Sequence, residues 1–192
     1  RPDSPGAALG QVSDDFFNLC AAPRRVAIVG GGYVAVELAG VLQALGSQVE
    51  LFVRGPRLLD GFDAQITAEL ADDMRQHGVH LHFGHAVAAL EEASHDGVIV
   101  LAEDGTRSER FDRVIFATGR TPNTGGMGLE DAGVATDARG FVQVDAWQDT
   151  NVPGIHAVGD VTGQAALTPV AIAAGRRLMD RLFGGQAEAR LD

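Results

Sequence analysis

The residues most able to do chemistry are three consecutive glycines in front of a helix-like segment. The stretch GGGYVA, residues 30–35, fits the pattern G-x-G-x-x-A. Gly30 permits a tight turn, and Gly32 has no Cβ, so a pyrophosphate can approach its backbone closely. The free N–H groups at the start of the helix attract that anion, while Ala35 packs the helix on the strand. The dinucleotide-binding residues predicted at this turn are Gly30, Gly32, Tyr33, Val34 and Ala35.

A second candidate feature follows the next predicted strand, QVELFV, where Arg54 and Arg57 stand in VRGPR. An acidic residue at this position would favour NAD by accepting hydrogen bonds from the ribose 2′-hydroxyl, and an arginine would accommodate the 2′-phosphate of NADP. Glu50 lies in mid-strand and comes too early for that role. A guanidinium suits a phosphate dianion well, so the sequence predicts NADPH. The alternative interpretation is a solvated arginine loop.

These residues need a strand–helix–strand unit to position them. RVAIV before the glycines is short and β-branched, as buried strands are. Apolar residues then recur at helical spacing over 33–45, and Gly46 ends the helix. A strand over 48–53 completes a βαβ unit, which implies a parallel sheet.

The rest of the chain extends this pattern. Asp63 caps a helix to about His77, and a third strand covers 79–83. Within residues 86–116, apolar and polar residues alternate as in a β-hairpin section, with a turn at Asp104-Gly105. The segment RVIFATG is predicted to be another buried strand. After the loop RTPNTGG, GIHAVGD (154–160) is typical of a buried strand and a last helix covers about 169–183. The predicted fold class is α/β: a Rossmann-like NAD(P)-binding domain with a central parallel sheet and an antiparallel hairpin section, followed by a smaller α/β portion.

Composition limits the partners. The net charge is −11, which disfavours nucleic acid and anionic membranes as partners. All fifteen basic residues are arginine, so the chain offers no lysine chemistry. A single cysteine, Cys20, excludes a disulfide framework or a dithiol pair within the chain and favours a cytoplasmic location. No apolar run is long enough to span a membrane, and the first residues do not resemble a signal peptide.

Five motifs together carry a family resemblance: GGGYVAVELAG, VRGPRLLDGFD, ATGRTPNT, GIHAVGD and LTPVAIAAGRRL. Their order and spacing resemble the flavin-dependent pyridine nucleotide–disulfide oxidoreductases, and within them the glutathione reductase family most closely. The resemblance covers essentially the whole chain. It implies an enzyme in which NADPH passes hydride to FAD, and FAD reduces an active-site disulfide that reduces glutathione disulfide. A dihydrolipoamide or mercuric type of reductase is the alternative within the family.

The resemblance also implies roles for residues of the first half. Tyr33 resembles the ring that covers the flavin until the nicotinamide displaces it. Glu37 resembles the glutamate that pairs with a flavin-side lysine, which this chain does not contain. Arg54 resembles a 2′-phosphate ligand. At Asp60 the family's NADPH users usually carry a second phosphate-binding arginine, so the preference for NADPH depends on Arg57 taking over.

The other implied site residues follow the buried strand near 114–119 or lie near the last helix. Thr118, Gly119 and Arg120 resemble the loop that lines the nicotinamide half of the dinucleotide. Asp160, beside Gly159, resembles the carboxylate on the ribityl chain of FAD. Thr168, preceded by Leu167, begins the last helix, whose N-terminal amides would face the flavin.

Features typical of the family are missing from the sequence: a first G-x-G-x-x-G unit for FAD, a C-x-x-x-x-C pair, and an interface region carrying an acid–base histidine. We therefore expect a fragment, with a connector at 1–22, the NADPH-binding domain at 23–121 and part of the central domain at 122–192. No residue of this fragment is the redox catalyst, so it should bind NADPH without turnover. The complete enzyme should be a homodimer, and the fragment can self-associate. The rival interpretation is a stand-alone NADP(H)-binding module without redox activity.

Two other groups of residues have side chains typical of sites but lack the partners that a site needs. His77, His80, His82 and His85 could suggest zinc, but no cysteine or carboxylate converges on them in the sequence. We expect a solvated edge face there and no metal. Cys20 has no neighbouring histidine or basic residue that would activate it, so a packed thiol is expected.

Overall fold

The chain divides into two compact units, and the computed structural model describes residues 1–191. The first unit is Arg1–Gly119, and the second begins at Arg120. The strands are β1 (Gln11–Val12), β2 (Arg25–Val29), β3 (Gln48–Val53), β4 (His80–Phe83), β5 (Val87–Ala93), β6 (Gly97–Ala102) and β7 (Arg113–Phe116). The helices are α1 (Ser13–Phe16), α2 (Tyr33–Ala44), α3 (Ala64–Gln76) and α4 (Thr168–Phe183). The predicted α/β fold class is confirmed.

Five parallel strands form the central sheet of the first unit, in the order β1-β7-β2-β3-β4. Strand β2 lies in the middle because its residues are apolar on both faces, as strands of parallel sheets covered on both sides are. Val26, Ala27 and Ile28 are fully buried. Val29 is level with Phe52 of β3 and with Phe116 of β7, so the three strands end at the same edge.

Helices α2 and α3 cover one face of this sheet. Leu38 and Leu42 of α2 and Met74 of α3 share a buried core with Val49 and Leu51 of the sheet. The predicted helix boundaries are confirmed: Asp63 Oδ1 accepts hydrogen bonds from the N–H groups of Gln65 and Ile66 at the start of α3. Such caps stabilise helices by about 1 kcal/mol.

The antiparallel pair β5–β6 covers the other face, with Leu90 and Val100 packed against Phe52 and Phe116. The first unit therefore has three layers. The predicted turn at Asp104-Gly105 is present, with Asp104 Oδ1 accepting from the Thr106 N–H at 2.8 Å. In the turn between β5 and β6, His95 and Asp96 are in left-handed conformation (φ 56° and 53°). The dipeptide His-Asp is a weak sequence signal for such a turn, which Asn-Gly or Asp-Gly would predict more strongly.

The N-terminal segment differs from the connector that the sequence predicts. Residues 11–12 form an edge strand, with Val12 level with Phe116 of β7. Ser13 is the first residue of α1, and the Val12 N–H donates to Asp15 Oδ2 at 2.9 Å. The prediction missed the strand because two residues are too short to show alternation.

The second unit has little regular structure before α4. The strand predicted over 154–160 is wrong: His156 forms only an isolated bridge with Asp149. The reason is the facing segment, where the left-handed Gln148 (φ 66°) prevents a continuous extended partner. Helix α4 buries only Ala174 completely, and Ile172, Met179 and Phe183 are exposed. Across residues 1–191, no helix is both long and apolar enough to cross a membrane.

A charged network joins the three strands β2, β3 and β4. Glu50 of β3 accepts a hydrogen bond from Arg25 Nη2 at 2.8 Å, and its other oxygen lies 3.0 Å from His82 Nε2. Arg25 also pairs with Glu109. The hydrogen bond with His82, together with that from Arg25, holds the pKa of the Glu50 carboxyl below its ordinary value, although burial acts in the opposite direction. Proton binding by Glu50 is therefore weaker in the folded chain than in the unfolded chain.

Because of this network, we expect part of the free energy of unfolding to be lost in acid. Because the folded-state pKa is lowered, Glu50 stabilises the fold above its unfolded pKa, and this contribution disappears as pH falls below about 5 toward the lowered value. We expect Glu50→Gln to lower the free energy of unfolding at pH 7 by about 1–2 kcal/mol and to flatten its decline in acid. Urea denaturation at several pH values measures both. Glu92→Gln, at an exposed position of β5, is the control, and equal acid slopes for wild type and Glu50→Gln would contradict the assignment.

Candidate dinucleotide-binding site

The candidate site lies at the carboxyl edge of the sheet, where β2 ends between β7 and β3. From β2 the chain proceeds to β3 and β4 on one side, and the other neighbour, β7, comes later in the sequence. Open α/β sheets bind ligands at such a reversal of strand order. Gly30 follows β2, Arg54 follows β3, and Thr118 comes shortly after β7, so three of the predicted site residues share this edge.

Gly30 is required by the fold itself. Its φ is 142°, and a Cβ at this position would lie 2.3 Å from the carbonyl oxygen of Ala117. The Gly30 N–H donates to the carbonyl oxygen of Phe52 at 2.9 Å, and the Ala117 N–H donates to that of Val29 at 2.8 Å. The backbone is therefore held between two neighbouring strands, with no room for a side chain.

At position 32, by contrast, nothing within the fold requires a glycine. Its φ of −85° and ψ of 177° are open to any residue, and a Cβ built on it would meet nothing within 4 Å. Only the missing side chain distinguishes the position, and the space in front of it is open. This arrangement fits a group that approaches the backbone closely from outside, as a pyrophosphate does.

Helix α2 begins directly after this turn, with no side-chain cap at Gly32. The first N–H groups of a helix have no acceptor within the helix, so these amides point toward the open space. Ala35 is fully buried and packs on the sheet, which confirms its predicted place in the core. Val34 is half-buried, and Tyr33, one turn before Glu37 on the same face, is 45% exposed.

The loop after β3 is fastened to the glycine turn, and sequence reasoning missed the residues responsible. The Leu59 N–H donates to the carbonyl oxygen of Gly31 at 2.7 Å, with Leu59 in left-handed conformation (φ 48°). Leu58 is fully buried, and the carbonyl oxygen of Gly55 accepts from the Gly84 N–H at 3.0 Å. Two adjacent leucines in an otherwise polar loop were the available signal that it is anchored.

The two predicted arginines of this loop differ in their surroundings. Arg54 is exposed, and within residues 1–191 no acceptor for its guanidinium is found. Arg57 is engaged: its Nε donates to Asp60 Oδ1 at 2.7 Å and its Nη2 to the Asp60 carbonyl oxygen at 2.5 Å. Arg54 is thus the arginine of this loop that has all of its donors available to a ligand.

The remaining predicted residues belong to two places. Thr118 and Gly119 follow β7 in the first unit, and the Thr118 nitrogen lies 3.4 Å from the position of a Cβ on Gly30, so the structure brings Thr118 to the glycine turn. Arg120 belongs to the second unit, where its Nε lies 4.0 Å from Asp160 Oδ2. Both of these side chains are more than half exposed.

The other second-unit residues lie around the start of α4. Asp160 is part of a short 3₁₀ helix, Gly159–Thr162, and a Cβ on Gly159 would lie 3.2 Å from that of Ala171 in α4. The structure thus brings this turn against the helix. Leu167 is the residue before α4, and Thr168 is its first residue, as predicted.

Two expectations outside this site are wrong in whole or in part. Of the four histidines expected on a solvated face, His77 and His80 are exposed. The His82 ring, however, stacks on Phe52 with centroids 4.7 Å apart, and the centroid of the His85 ring lies 5.5 Å from that of His82. Strand β4 places His82 on the hairpin side of the sheet, where Phe52 offers a ring. Cys20 is exposed instead of packed, because it lies in the loop between α1 and β2. Within residues 1–191, no group of three or more His, Cys, Asp or Glu side chains could hold a metal ion.

Fold and turn together define a Rossmann-like α/β chain with a glycine-rich turn at the carboxyl edge of its parallel sheet. The pyridine nucleotide-disulphide oxidoreductase family model matches residues 5–175. The chain belongs to this family, which confirms the resemblance inferred from the five motifs.

Relatives within the family include glutathione reductases. The chain is 44% identical over 188 residues to glutathione reductase from Schizosaccharomyces pombe, covering 98% of this chain and 40% of that protein. It is 44% identical over 186 residues to glutathione reductase from Burkholderia cepacia, covering 97% and 41% respectively. The chain therefore spans about two fifths of the length of these relatives.

Solved structures agree with this placement. The HOCl-induced flavoprotein disulfide reductase RclA from Escherichia coli matches all of this chain and 43% of its own, with a TM-score of 0.90 and 29% identity. LpdA from Mycobacterium tuberculosis matches 91% of this chain and 38% of its own, with a TM-score of 0.83 and 28% identity.

The surroundings of three glycines predict three different effects of a Gly→Ala substitution on stability. Gly30→Ala should lower the free energy of unfolding by at least about 2 kcal/mol, because the new Cβ meets the Ala117 carbonyl and left-handed backbone is strained. Gly32→Ala should change it by less than about 1 kcal/mol. Gly40→Ala, in the interior of α2 with nothing within 4 Å of its Cβ, should stabilise by about 0.5–1 kcal/mol. Thermal and urea unfolding measure all three, and a Gly30→Ala protein as stable as wild type would contradict the close approach.

Proposed function

We propose that this chain binds NADPH at the glycine turn and forms the NADPH-binding part of a flavoprotein disulfide reductase, most closely a glutathione-disulfide reductase. The observation that carries the proposal is the pairing of Gly32, which faces open space, with a loop that presents Arg54 and is hydrogen-bonded to the same turn. The identity of 44% to two glutathione reductases supports the substrate class.

The pyrophosphate would lie against Gly32 and the first amides of α2. Neutral backbone donors and the helix dipole stabilise its charge there. The overall charge of −11 opposes any dinucleotide at long range, so binding depends on these local donors and on Arg54. Because the loop is anchored through Leu59 and Leu58, the two parts of the site keep a fixed separation before the ligand arrives, which lowers the entropy cost of binding.

The 2′-phosphate of NADPH would lie against Arg54. Its guanidinium is exposed at the end of β3 and has donors to offer, so a phosphate dianion can take a bidentate hydrogen bond from it. NADH has a hydroxyl at this position and gains less from a cation. NADPH is therefore the expected cofactor.

The nicotinamide and flavin side of the site is assigned to residues on two elements of the first unit. Tyr33 and Glu37 lie one helical turn apart on the exposed face of α2, where the Tyr33 ring can cover the flavin and Glu37 can pair with a basic group beside it. Thr118 and Gly119 lie next to the glycine turn and would line the nicotinamide half.

The second unit is assigned to FAD. Asp160 would accept hydrogen bonds from the ribityl chain, and the amides after Leu167 and Thr168 at the start of α4 would face the flavin ring and stabilise negative charge on it. The exposed side chains of Asp160 and Thr168 are consistent with this role. Arg120 stays a predicted residue of the loop for the nicotinamide half, on the family resemblance alone. FAD, when bound, supplies the two-electron chemistry that links NADPH to a disulfide.

The remaining parts of the proposal concern the complete enzyme. Its redox pair needs two cysteines, and the printed sequence has one, so this chain alone should bind NADPH without turnover. The proposed division into a connector (1–22), an NADPH-binding domain (23–121) and a central-domain portion (122–192) follows the family pattern. Glutathione disulfide as substrate, a homodimer and a cytoplasmic location remain predictions.

Cofactor preference is the first test of the proposal. The protein should bind NADPH in the micromolar range or weaker and NADH less well. Arg54→Gln should weaken NADPH about tenfold and NADH less than twofold, because one charge-assisted contact to the phosphate is lost. Arg54→Glu should reverse the preference. Isothermal titration calorimetry measures the affinities, and Arg75→Gln, at an exposed arginine of α3, is the control. If the wild-type protein binds neither cofactor, the proposed site is wrong. If Arg54→Gln leaves the preference for NADPH over NADH unchanged, only the assignment of Arg54 as the 2′-phosphate ligand is wrong.

The glycine turn gives a second test with a different signature. Gly32→Ala should weaken NADPH and NADH equally, by tenfold or more, because both carry the pyrophosphate that the new methyl group would meet. The fold should be retained, as judged by circular dichroism. Gly40→Ala should leave both affinities unchanged. Selective loss of one cofactor in Gly32→Ala would contradict the placement of the pyrophosphate.

A further inference from the structure

The loop that carries Arg54 contains a second arginine already held by an acidic neighbour. Arg57 donates through Nε to the Asp60 carboxylate and through Nη2 to the Asp60 carbonyl oxygen, at 2.7 and 2.5 Å. The Asp60 side chain is 82% exposed, and that of Arg57 is 38% exposed. The carboxylate therefore lies on the outside of the loop and the guanidinium is folded back onto it.

The backbone around this pair is fixed by contacts that do not involve either side chain. The Leu59 N–H donates a hydrogen bond to the carbonyl oxygen of Gly31, and the Phe62 N–H donates to that of Leu59 at 2.8 Å. The Leu58 side chain is buried. Asp60 follows directly on this anchor, so the loop keeps Asp60 beside Arg57. The loop backbone therefore favours the pairing of Arg57 with Asp60.

The pair changes the charge that the loop offers to a ligand. With Arg54 alone unpaired, the loop presents one available guanidinium and one neutralised ion pair, whereas two free arginines would present two positive charges. A phosphate dianion gains from each cation and is repelled by a carboxylate, while an uncharged ribose hydroxyl gains much less from a cation. A free carboxylate could accept a hydrogen bond from that hydroxyl, but the Asp60 carboxylate is already engaged with Arg57. Asp60 therefore acts mainly against the phosphorylated cofactor.

We propose that Asp60 is a specificity-determining residue that limits the preference of this site for NADPH over NADH by holding Arg57 away from the 2′-phosphate. This inference rests on the proposed dinucleotide site. It assigns discrimination in the wild-type chain to Arg54 and makes Arg57 a latent phosphate ligand that becomes available once the carboxylate is removed.

A double-mutant cycle tests the inference, with 2′,5′-ADP and 5′-AMP as probes that differ only in the 2′-phosphate. Asp60→Asn should tighten 2′,5′-ADP about fivefold to tenfold and change 5′-AMP less than twofold. Arg57→Gln in the wild-type background should cost less than about twofold, since Arg57 is already engaged. Arg57→Gln in the Asp60→Asn background should cancel the gain. This coupling separates release of Arg57 from a general loss of negative charge.

The matched control is Asp72→Asn, which removes an exposed carboxylate paired with an arginine three residues away, Arg75, on helix α3. It should leave both affinities unchanged. Tighter 2′,5′-ADP binding in Asp60→Asn that persists after Arg57→Gln, or no change in Asp60→Asn, would overturn the inference while leaving the dinucleotide site in place. Failure of wild type to bind either probe or either dinucleotide would reject the proposed function, and the inference with it.

Discussion

The structure of the first unit depends on the tight parallel packing of strand β2 between β3 and β7. Hydrogen bonds on both sides hold the end of β2 so close to Ala117 that residue 30 has no room for a Cβ. The same register places Gly30, Arg54 and Thr118 at one edge of the sheet. A larger residue at position 30 would force β2 and β7 apart. The constraint that builds the sheet therefore also positions the residues of the candidate site.

The site combines a rigid backbone with exposed side chains. The glycine turn and the loop after β3 are joined by the hydrogen bond from the Leu59 N–H to the Gly31 carbonyl oxygen. The buried Leu58 side chain anchors this loop in the core. Arg54, Asp60 and Tyr33 project from this framework into solvent. Specificity can change here through single surface residues without a cost in folding, because none of these side chains contributes to the core.

Three of the departures from expectation share a physical cause, which is the presence or absence of a pairing partner in another segment. His82 stacks on Phe52 and bonds to Glu50 because β4 pairs with β3, and no property of HGVHLHFGH indicates this neighbour. Residues 154–160 have the composition of a strand but lack a continuous partner, since Gln148 turns the facing segment. Residues 11–12 become a strand because β7 offers them a free edge.

The sequence by itself determined the elements of the first unit from β2 onward and the position of the glycine turn. Local signals suffice for these: β-branched runs, helical spacing, the Asp63 cap and glycines at 46 and 78 act through neighbours in the chain. It also specified the residue types at the edge of the sheet. The glycine pattern also separated Gly30, for the turn, from Gly32, for close approach of a ligand, and the tertiary structure added that Gly30 lies against the Ala117 carbonyl while Gly32 faces open space. Only the tertiary structure decided that Arg57 is engaged with Asp60 while Arg54 has no partner among the described residues. These distinctions depend on distances between separate segments and on side-chain geometry, which residue spacing does not encode.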